Sequence, residues 1–181
     1  MELTTTIMIG APHEIQAIAA PTLRQYAFET LIRVPAHITV LYPFVPFEQL
    51  DSACVTLRDL CAEIAPFDIT MKGYNSFPDI VYMEPQDDTL IRALCQKVFS
   101  AFPDCPPYRG IHGNEPTPHM TVGEFASAEE QAAALLPDYE PVTFRAAQLH
   151  VMYGVDNSAM TWLTHAVIAL RNGQTKIAAN K

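Results

Sequence analysis

Basic residues are scarce in this chain. Its 181 residues include 11 Lys plus Arg against 20 Asp plus Glu, a formal net charge of −9. Proteins that track a nucleic-acid backbone neutralise many phosphates with clustered Lys and Arg. No basic run is present, which argues against an extended RNA or DNA footprint, whereas a small nucleotide needs only a local site. Cysteine is sparse too. Cys54, Cys61, Cys95 and Cys105 form no Cys-x-x-Cys pair and no zinc-like cluster with histidine, so buried free thiols are expected; no cofactor is expected either. No apolar stretch approaches membrane-spanning length. The opening residues show no charged segment followed by an apolar run, so a cytoplasmic location is the expectation. With 49% hydrophobic and 17% charged residues, the composition is that of one globular domain, or of two small lobes sharing a core.

What is present is a short pattern that occurs twice. Pro35-Ala36-His37-Ile38-Thr39-Val40-Leu41-Tyr42 has a second version in Pro118-His119-Met120-Thr121-Val122-Gly123-Glu124-Phe125. Side chains alternate faces along a strand. His37 and Thr39 therefore share one face and His119 and Thr121 another, with Ile38, Val40, Met120 and Val122 left to pack behind them. Each strand would present an imidazole beside a hydroxyl, and two such pairs facing each other would suit a phosphate. A lone His-x-Thr arises readily by chance. Here both copies follow a Pro-rich lead-in and precede an amphipathic helical stretch, and this shared context makes the repeat informative.

Periodicity places a strand at Thr4–Ile9 and a helical stretch from Ala11 to Phe28 interrupted at Pro21. The first motif strand and a helix from Pro46 to Ile64 follow. Phe67–Lys72 reads as a strand before a turn or bulge at Gly73-Tyr74-Asn75. The series then restarts: a strand over Ile80–Glu84, a helix over Thr89–Phe102, a loop from Pro103 to Thr117, and the second motif. Ser127 with Glu130 predicts a capping box opening a helix to Leu136, followed by one long strand over Val142–Val155, a last strand over Trp162–Leu170 and a polar tail from Arg171. The order implies an internal duplication, with lobes of about residues 1–78 and 79–170 related by a pseudo-twofold axis and a tail over 171–181.

The residues from Pro35 to Phe44, the segment Pro118–Val122, and Phe77-Pro78 with Ile80-Val81-Tyr82-Met83 between them resemble the two-histidine (2H) phosphoesterase superfamily, the group containing bacterial 2′-5′ RNA ligases and cyclic nucleotide phosphodiesterases. The resemblance implies a bilobal α/β (α+β type) protein, with two antiparallel sheets around a central cleft, helices outside and no metal. It implies catalytic roles for His37 and His119 and phosphate-binding roles for Thr39 and Thr121. The function it points to is metal-independent opening of a 2′,3′-cyclic phosphate on an RNA end or a small nucleotide. A 2′-5′ RNA ligase or oligonucleotide-processing enzyme, and a non-catalytic nucleotide-binding module, stay open as alternatives. Which imidazole is acid and which is base also stays open. Tyr42, Tyr82 and Tyr153 are candidates to hold a base by stacking. Arg109 and His112, in the loop before the second motif, are candidates to touch substrate. His13, His150 and His165 read as structural. The nearest basic residues to the motifs are Arg33 and Lys72, which disfavours polynucleotide work; the expected state is a monomer.

Overall fold

Strand alternation and helical apolar stripes together build two antiparallel sheets. The computed structural model describes residues 3–113, 115–156, 161–171 and 176–177. In chain order the elements are β1 (Thr4–Gly10), α1 (His13–Tyr26), α2 (Phe28–Arg33), β2 (His37–Leu41), α3 (Leu50–Ala62), β3 (Phe67–Phe77) and β4 (Ile80–Pro85). They continue with α4 (Thr89–Ala101), β5 (Met120–Glu124), α5 (Ala128–Ala132), β6 (Val142–Ala146), β7 (Gln148–Gly154), β8 (Leu163–Ala169) and β9 (Lys176–Ile177). The first sheet has the order β2-β1-β7-β8-β9 and the second β5-β4-β3-β6. All neighbours are antiparallel.

The sheets do not follow the chain's division near residue 78. β3, from the first half, pairs with β4 and β6 in the second sheet, while β7 and β8, from the second half, join β1 in the first. The helices cross over as well, since α1 packs on β5 and α4 packs on β2. Both motif strands are thereby sheet edges, and β2 and β5 lie in contact with each other. Edge strands are free of ladder bonds on one side, so two of them can flank a groove without fusing into one sheet.

Several local expectations are corrected. The stretch Val142–Val155 is two strands, split at Ala147 and placed in different sheets. Phe144 and Ala146 are buried on even positions and Leu149 and Val151 on odd ones, so a single straight strand would have sent one pair to solvent. Helix α1 runs through Pro21, and the junction with α2 falls instead at Ala27, whose extended φ of −149° ends the first helix. β3 continues past Gly73 to Phe77 through a register shift between Met71 and Gly73. Ser127 does cap α5, accepting from the Glu130 N–H at 3.1 Å, but the helix stops at Ala132 rather than Leu136. Of the expected polar tail beyond Arg171, Lys176–Ile177 pairs with β8 and the other residues lie outside the described ones.

The core is continuous beneath both sheets. On α3, Leu50, Ala53, Cys54, Leu57 and Cys61 are buried at three- and four-residue spacing. Cys54, Cys61 and Cys95 are buried free thiols and Cys105 is half-buried. Burial pushes the Cys61 thiol up to about 12, which leaves it inert at neutral pH. Among the described residues no helix is long and apolar enough to cross a membrane. Leu57 is fully buried on α3, a helix that packs on β8, so Leu57→Ala is expected to cost about 2–5 kcal/mol. Denaturant unfolding measures this, and a loss below about 1 kcal/mol would contradict the packing described.

Candidate active site

Strand alternation turns each motif pair away from the core, so that His37 and Thr39 open on one cavity and His119 on its neighbour. Ile38 and Val40 are 0% and 2% exposed and Met120 and Val122 both 0%, while His37, Thr39, His119 and Thr121 are half-buried on the opposite faces. His119 stands immediately before β5, and Thr121 lies within it. Each imidazole is held in the same way. Nδ1 of His37 lies 2.8 Å from the Pro35 carbonyl oxygen, and Nδ1 of His119 lies 2.8 Å from the Thr117 carbonyl oxygen. A carbonyl only accepts, so Nδ1 carries the proton and donates it in both rings. In the neutral rings Nε2 is then the bare nitrogen.

The surroundings of the two rings differ. His37 and Thr39 line a cleft of about 500 Å³ together with Thr6, Met8, Thr30, Arg33, Tyr42, Arg109, Glu124, Asp156 and Trp162. The Tyr42 hydroxyl donates to Asp156 Oδ2 at 2.7 Å, and Thr4 donates to the same oxygen at 2.9 Å. Burial, then this carboxylate, pushes the Tyr42 phenol up to about 12, so it stays a donor at neutral pH. Thr30 donates to Glu124 Oε1 at 2.5 Å and lies 3.3 Å from Arg33 Nη2. His119 instead sits among aromatics, 5.1 Å from the Phe77 ring and 5.3 Å from the Tyr82 ring. It lines a second cavity of about 580 Å³ with Phe77, Tyr108, His112 and Glu115.

A turn at Pro107–Gly110 runs between the two cavities. Tyr108 and Arg109 both adopt left-handed backbone, φ 51° and 57°, in which a non-glycine residue costs about 1–2 kcal/mol. The Tyr108 N–H donates to the Tyr42 carbonyl, its hydroxyl comes within reach of Thr39, and its ring lies 5.4 Å from His112. Arg109 enters the His37 cleft.

The structure thus brings His37, Thr39, Tyr42 and Arg109 to one cavity and His119 and His112 to its neighbour, with Thr121 on the His119 face. Two expected stacking residues fall elsewhere. Tyr82 is 4% exposed and packs on Phe77 and His119, so it positions the imidazole and has no open face for a base. Tyr153 is on the core side of β7 with Val151, packed on Phe47 and beside His165. Asp156, Trp162, Glu124, Thr30 and Tyr108 were not indicated by the sequence pattern, because they reach the groove from separate loops and strand ends with no spacing in common. Lys72 is directed to Glu84 at 3.6 Å, whereas Arg33 does reach the cleft. Among the described residues no three His, Cys, Asp or Glu side chains converge as a metal-binding group.

Both catalytic candidates lie below the ordinary histidine pKa. Burial is the main cause in each; the bond to the backbone carbonyl opposes it, and a neighbouring imidazole lowers it further, His119 for His37 and His112 for His119. When the folded pKa of a base lies below its unfolded value, the unfolded chain binds more protons as pH falls through about 6.5. Stability is therefore lost on the acid side of that value and regained above it. Between about pH 7.5 and 5.5, His37→Ala is expected to lose less unfolding free energy than the wild type, as read by urea titration at each pH. An equal loss would contradict the burial of the neutral ring.

The model of the 2′-5′ RNA ligase superfamily matches residues 10–157. Among solved structures, Escherichia coli LigT complexed with 3′-AMP is similar at a TM-score of 0.65 and 16% identity, over 95% of this chain and 100% of that one. TT0787 of Thermus thermophilus is similar at 0.64 and 17%, over 96% and 100%. A structure described as a phosphoesterase matches at 0.65 and 14%, over 95% and 100%. E. coli LigT has also been solved with phosphate, NADP+ and ATP. No curated protein matches the sequence. At such identities the structures establish a shared fold, and the family model, which spans most of the sequence, establishes the rest: the chain belongs to the 2′-5′ RNA ligase superfamily.

Proposed function

We propose that this protein is a metal-independent phosphodiesterase that opens a 2′,3′-cyclic phosphate, on an RNA end or a small nucleotide, by acid–base catalysis between His37 and His119. The observation that carries this reading is the matched anchoring of the two rings by Nδ1–H bonds to the carbonyls two residues upstream. It leaves Nε2 of each ring as the free nitrogen, on or beside edge strands that lie in contact with each other. The proximity of the two imidazoles adds support, since His119 lowers the pKa of His37.

The reaction balances with these groups alone. One neutral Nε2 takes a proton from water as the water oxygen attacks phosphorus; the bond from phosphorus to one ribose oxygen breaks, and the other imidazole, protonated at Nε2, gives that oxygen its proton. The hydroxyls of Thr39 and Thr121 donate to non-bridging oxygens, where negative charge grows in the transition state. Because burial keeps both rings neutral in the free protein, the anionic substrate itself favours protonation of one of them as it binds. The same two rings with exchanged roles would serve ligation. The overall charge of −9 favours small substrates over long RNA.

LigT structures carrying 3′-AMP and phosphate agree with a nucleotide-phosphate ligand for this fold. The test is turnover of 2′,3′-cyclic mononucleotides and short cyclic-phosphate-ended RNA, with products identified by phosphorus NMR. Expected are a bell-shaped pH–rate profile, indifference to EDTA, and losses on the order of 10² to 10⁴ in rate for His37→Ala and for His119→Ala. Activity that collapses with chelator and returns with Zn²⁺, or full activity in either variant, would overturn the reading.

A further inference from the structure

The second motif strand carries a carboxylate into the His37 cleft, and it does so through an irregularity in its pairing. Along β4 and β5, Ile80 stands opposite Glu124 and Val81 opposite Gly123, then Tyr82 opposite Thr121, so Val122 is an extra residue in the ladder. Ile80 and Tyr82 lie two apart on β4 and share a face. Their partners Glu124 and Thr121 therefore share that face too, although on a regular strand residues three apart point to opposite ones. Gly123 makes room for the bulge, since a Cβ there would lie 2.8 Å from Phe125 Cε2 and 3.4 Å from Tyr26 Cβ. The bulge turns Glu124 away from the buried series of Met120 and Val122 and onto the cleft, which it lines with His37, Thr39, Arg33 and Arg109.

The carboxylate is held there from the other side of the cleft. Thr30 of α2 donates to Oε1 at 2.5 Å, and Arg33 Nη2 lies 3.3 Å from the same Thr30 oxygen while its Nε donates to the Glu29 carbonyl at 2.9 Å. None of the ion pairs among the described residues includes Glu124, so no direct contact cancels its charge. Asp156, the other carboxylate of the cleft, is occupied by the Tyr42 and Thr4 hydroxyls. Against these two acids stand two guanidiniums, Arg33 and Arg109, and the formal charges balance. A cavity of about 500 Å³ keeps whatever enters it within about 10 Å of its walls, the range over which charges are felt at ordinary salt.

Resting on the functional reading above, we propose that Glu124 is a specificity-determining residue that restricts the substrate to a small nucleotide whose cyclic phosphate is its only negative charge. A 5′-phosphate adds about 1.5 to 2 further negative charges, and every additional nucleotide of an RNA end adds another phosphate. Glu124 repels that added charge. Toward an uncharged nucleoside the same carboxylate, with lone pairs to spare beyond the Thr30 bond, accepts from a hydroxyl or an amine. Discrimination thus comes from a repulsive group set against the wrong substrate as well as an attractive one for the right substrate. RNA ends are disfavoured at the site itself, in addition to the effect of the overall charge.

The experiment compares adenosine 2′,3′-cyclic phosphate with its 5′-phosphorylated form in the full-length protein. The wild type is expected to open the first with the higher kcat/KM. Glu124→Gln keeps an oxygen for Thr30 and removes the charge; it should narrow the preference by roughly 3- to 30-fold at about 0.05 M salt, and Glu124→Arg should narrow it further. Both effects should shrink at about 0.5 M salt, which a merely structural role would not produce. Should Glu124→Arg fail to fold, Glu124→Gln carries the comparison. A wild type without preference, or a preference that the variants keep, would overturn the role of Glu124. Calorimetric affinities for 3′-AMP and adenosine 3′,5′-bisphosphate give the same comparison without turnover. If neither cyclic substrate is opened, yet the bisphosphate binds the wild type more weakly and the gap closes in Glu124→Gln, the functional reading falls and the charge discrimination stands. If His37→Ala and His119→Ala abolish turnover while the gap is indifferent to Glu124, only the role of Glu124 falls.

Discussion

Two hydrogen bonds set what the groove can do. In each motif the imidazole Nδ1–H is committed to a carbonyl two residues earlier, from Pro35 for His37 and from Thr117 for His119. A bond of this kind fixes the tautomer as well as the ring plane. It also satisfies the Nδ1–H of each half-buried ring within the protein, and it gives both rings the same free nitrogen. The carbonyls are available because each lies in a proline-containing lead-in, Pro35-Ala36 and Thr117-Pro118, just outside the sheet ladder. The histidine itself then enters the strand register or sits directly before it.

Both motif strands are sheet edges in contact with each other, and the topology supplies this by exchange. Each half of the chain contributes strands to both sheets, and the helices α1 and α4 each cover the motif strand of the other half. The two sheets therefore share one core. The exchange also accounts for the asymmetry of the site. The loop Asp156, the entry of β8 at Trp162 and the end of α2 crowd the His37 side with polar groups and an indole, while Phe77 and Tyr82 enclose His119 in aromatic surface. Identical anchoring is thus combined with unequal surroundings at the two imidazoles.

Much of this was legible in the linear sequence, for reasons that can be stated residue by residue. Alternation of His37, Ile38, Thr39 and Val40 fixes which face is core, because a shift of one residue would bury the imidazole and expose the isoleucine. The helical stripes of α3 and α4 are equally plain, since both present apolar residues at three- and four-residue spacing. The split at Ala147 was less visible, although the change of parity from Phe144 and Ala146 to Leu149 and Val151 carries it. What the sequence did not reveal was the tertiary company of the motifs. Trp162 gains its place from contact with Gly154, Tyr82 loses its open face to Phe77, and Tyr108 takes a left-handed backbone despite its side chain. Each of these depends on a partner distant in the chain or on a loop conformation that no period encodes.

The central claim is that both imidazoles present a bare Nε2 to one shared phosphate. Nitrogen-15 NMR of the histidine rings, recorded at about pH 7.5 while inorganic phosphate is added, tests it directly. The account predicts that His37 and His119 both carry their proton on Nδ1 in the free protein, and that phosphate shifts both Nε2 signals and raises both pKa values together. A ring protonated at Nε2 in the free protein, or a response confined to one of the two, would contradict it.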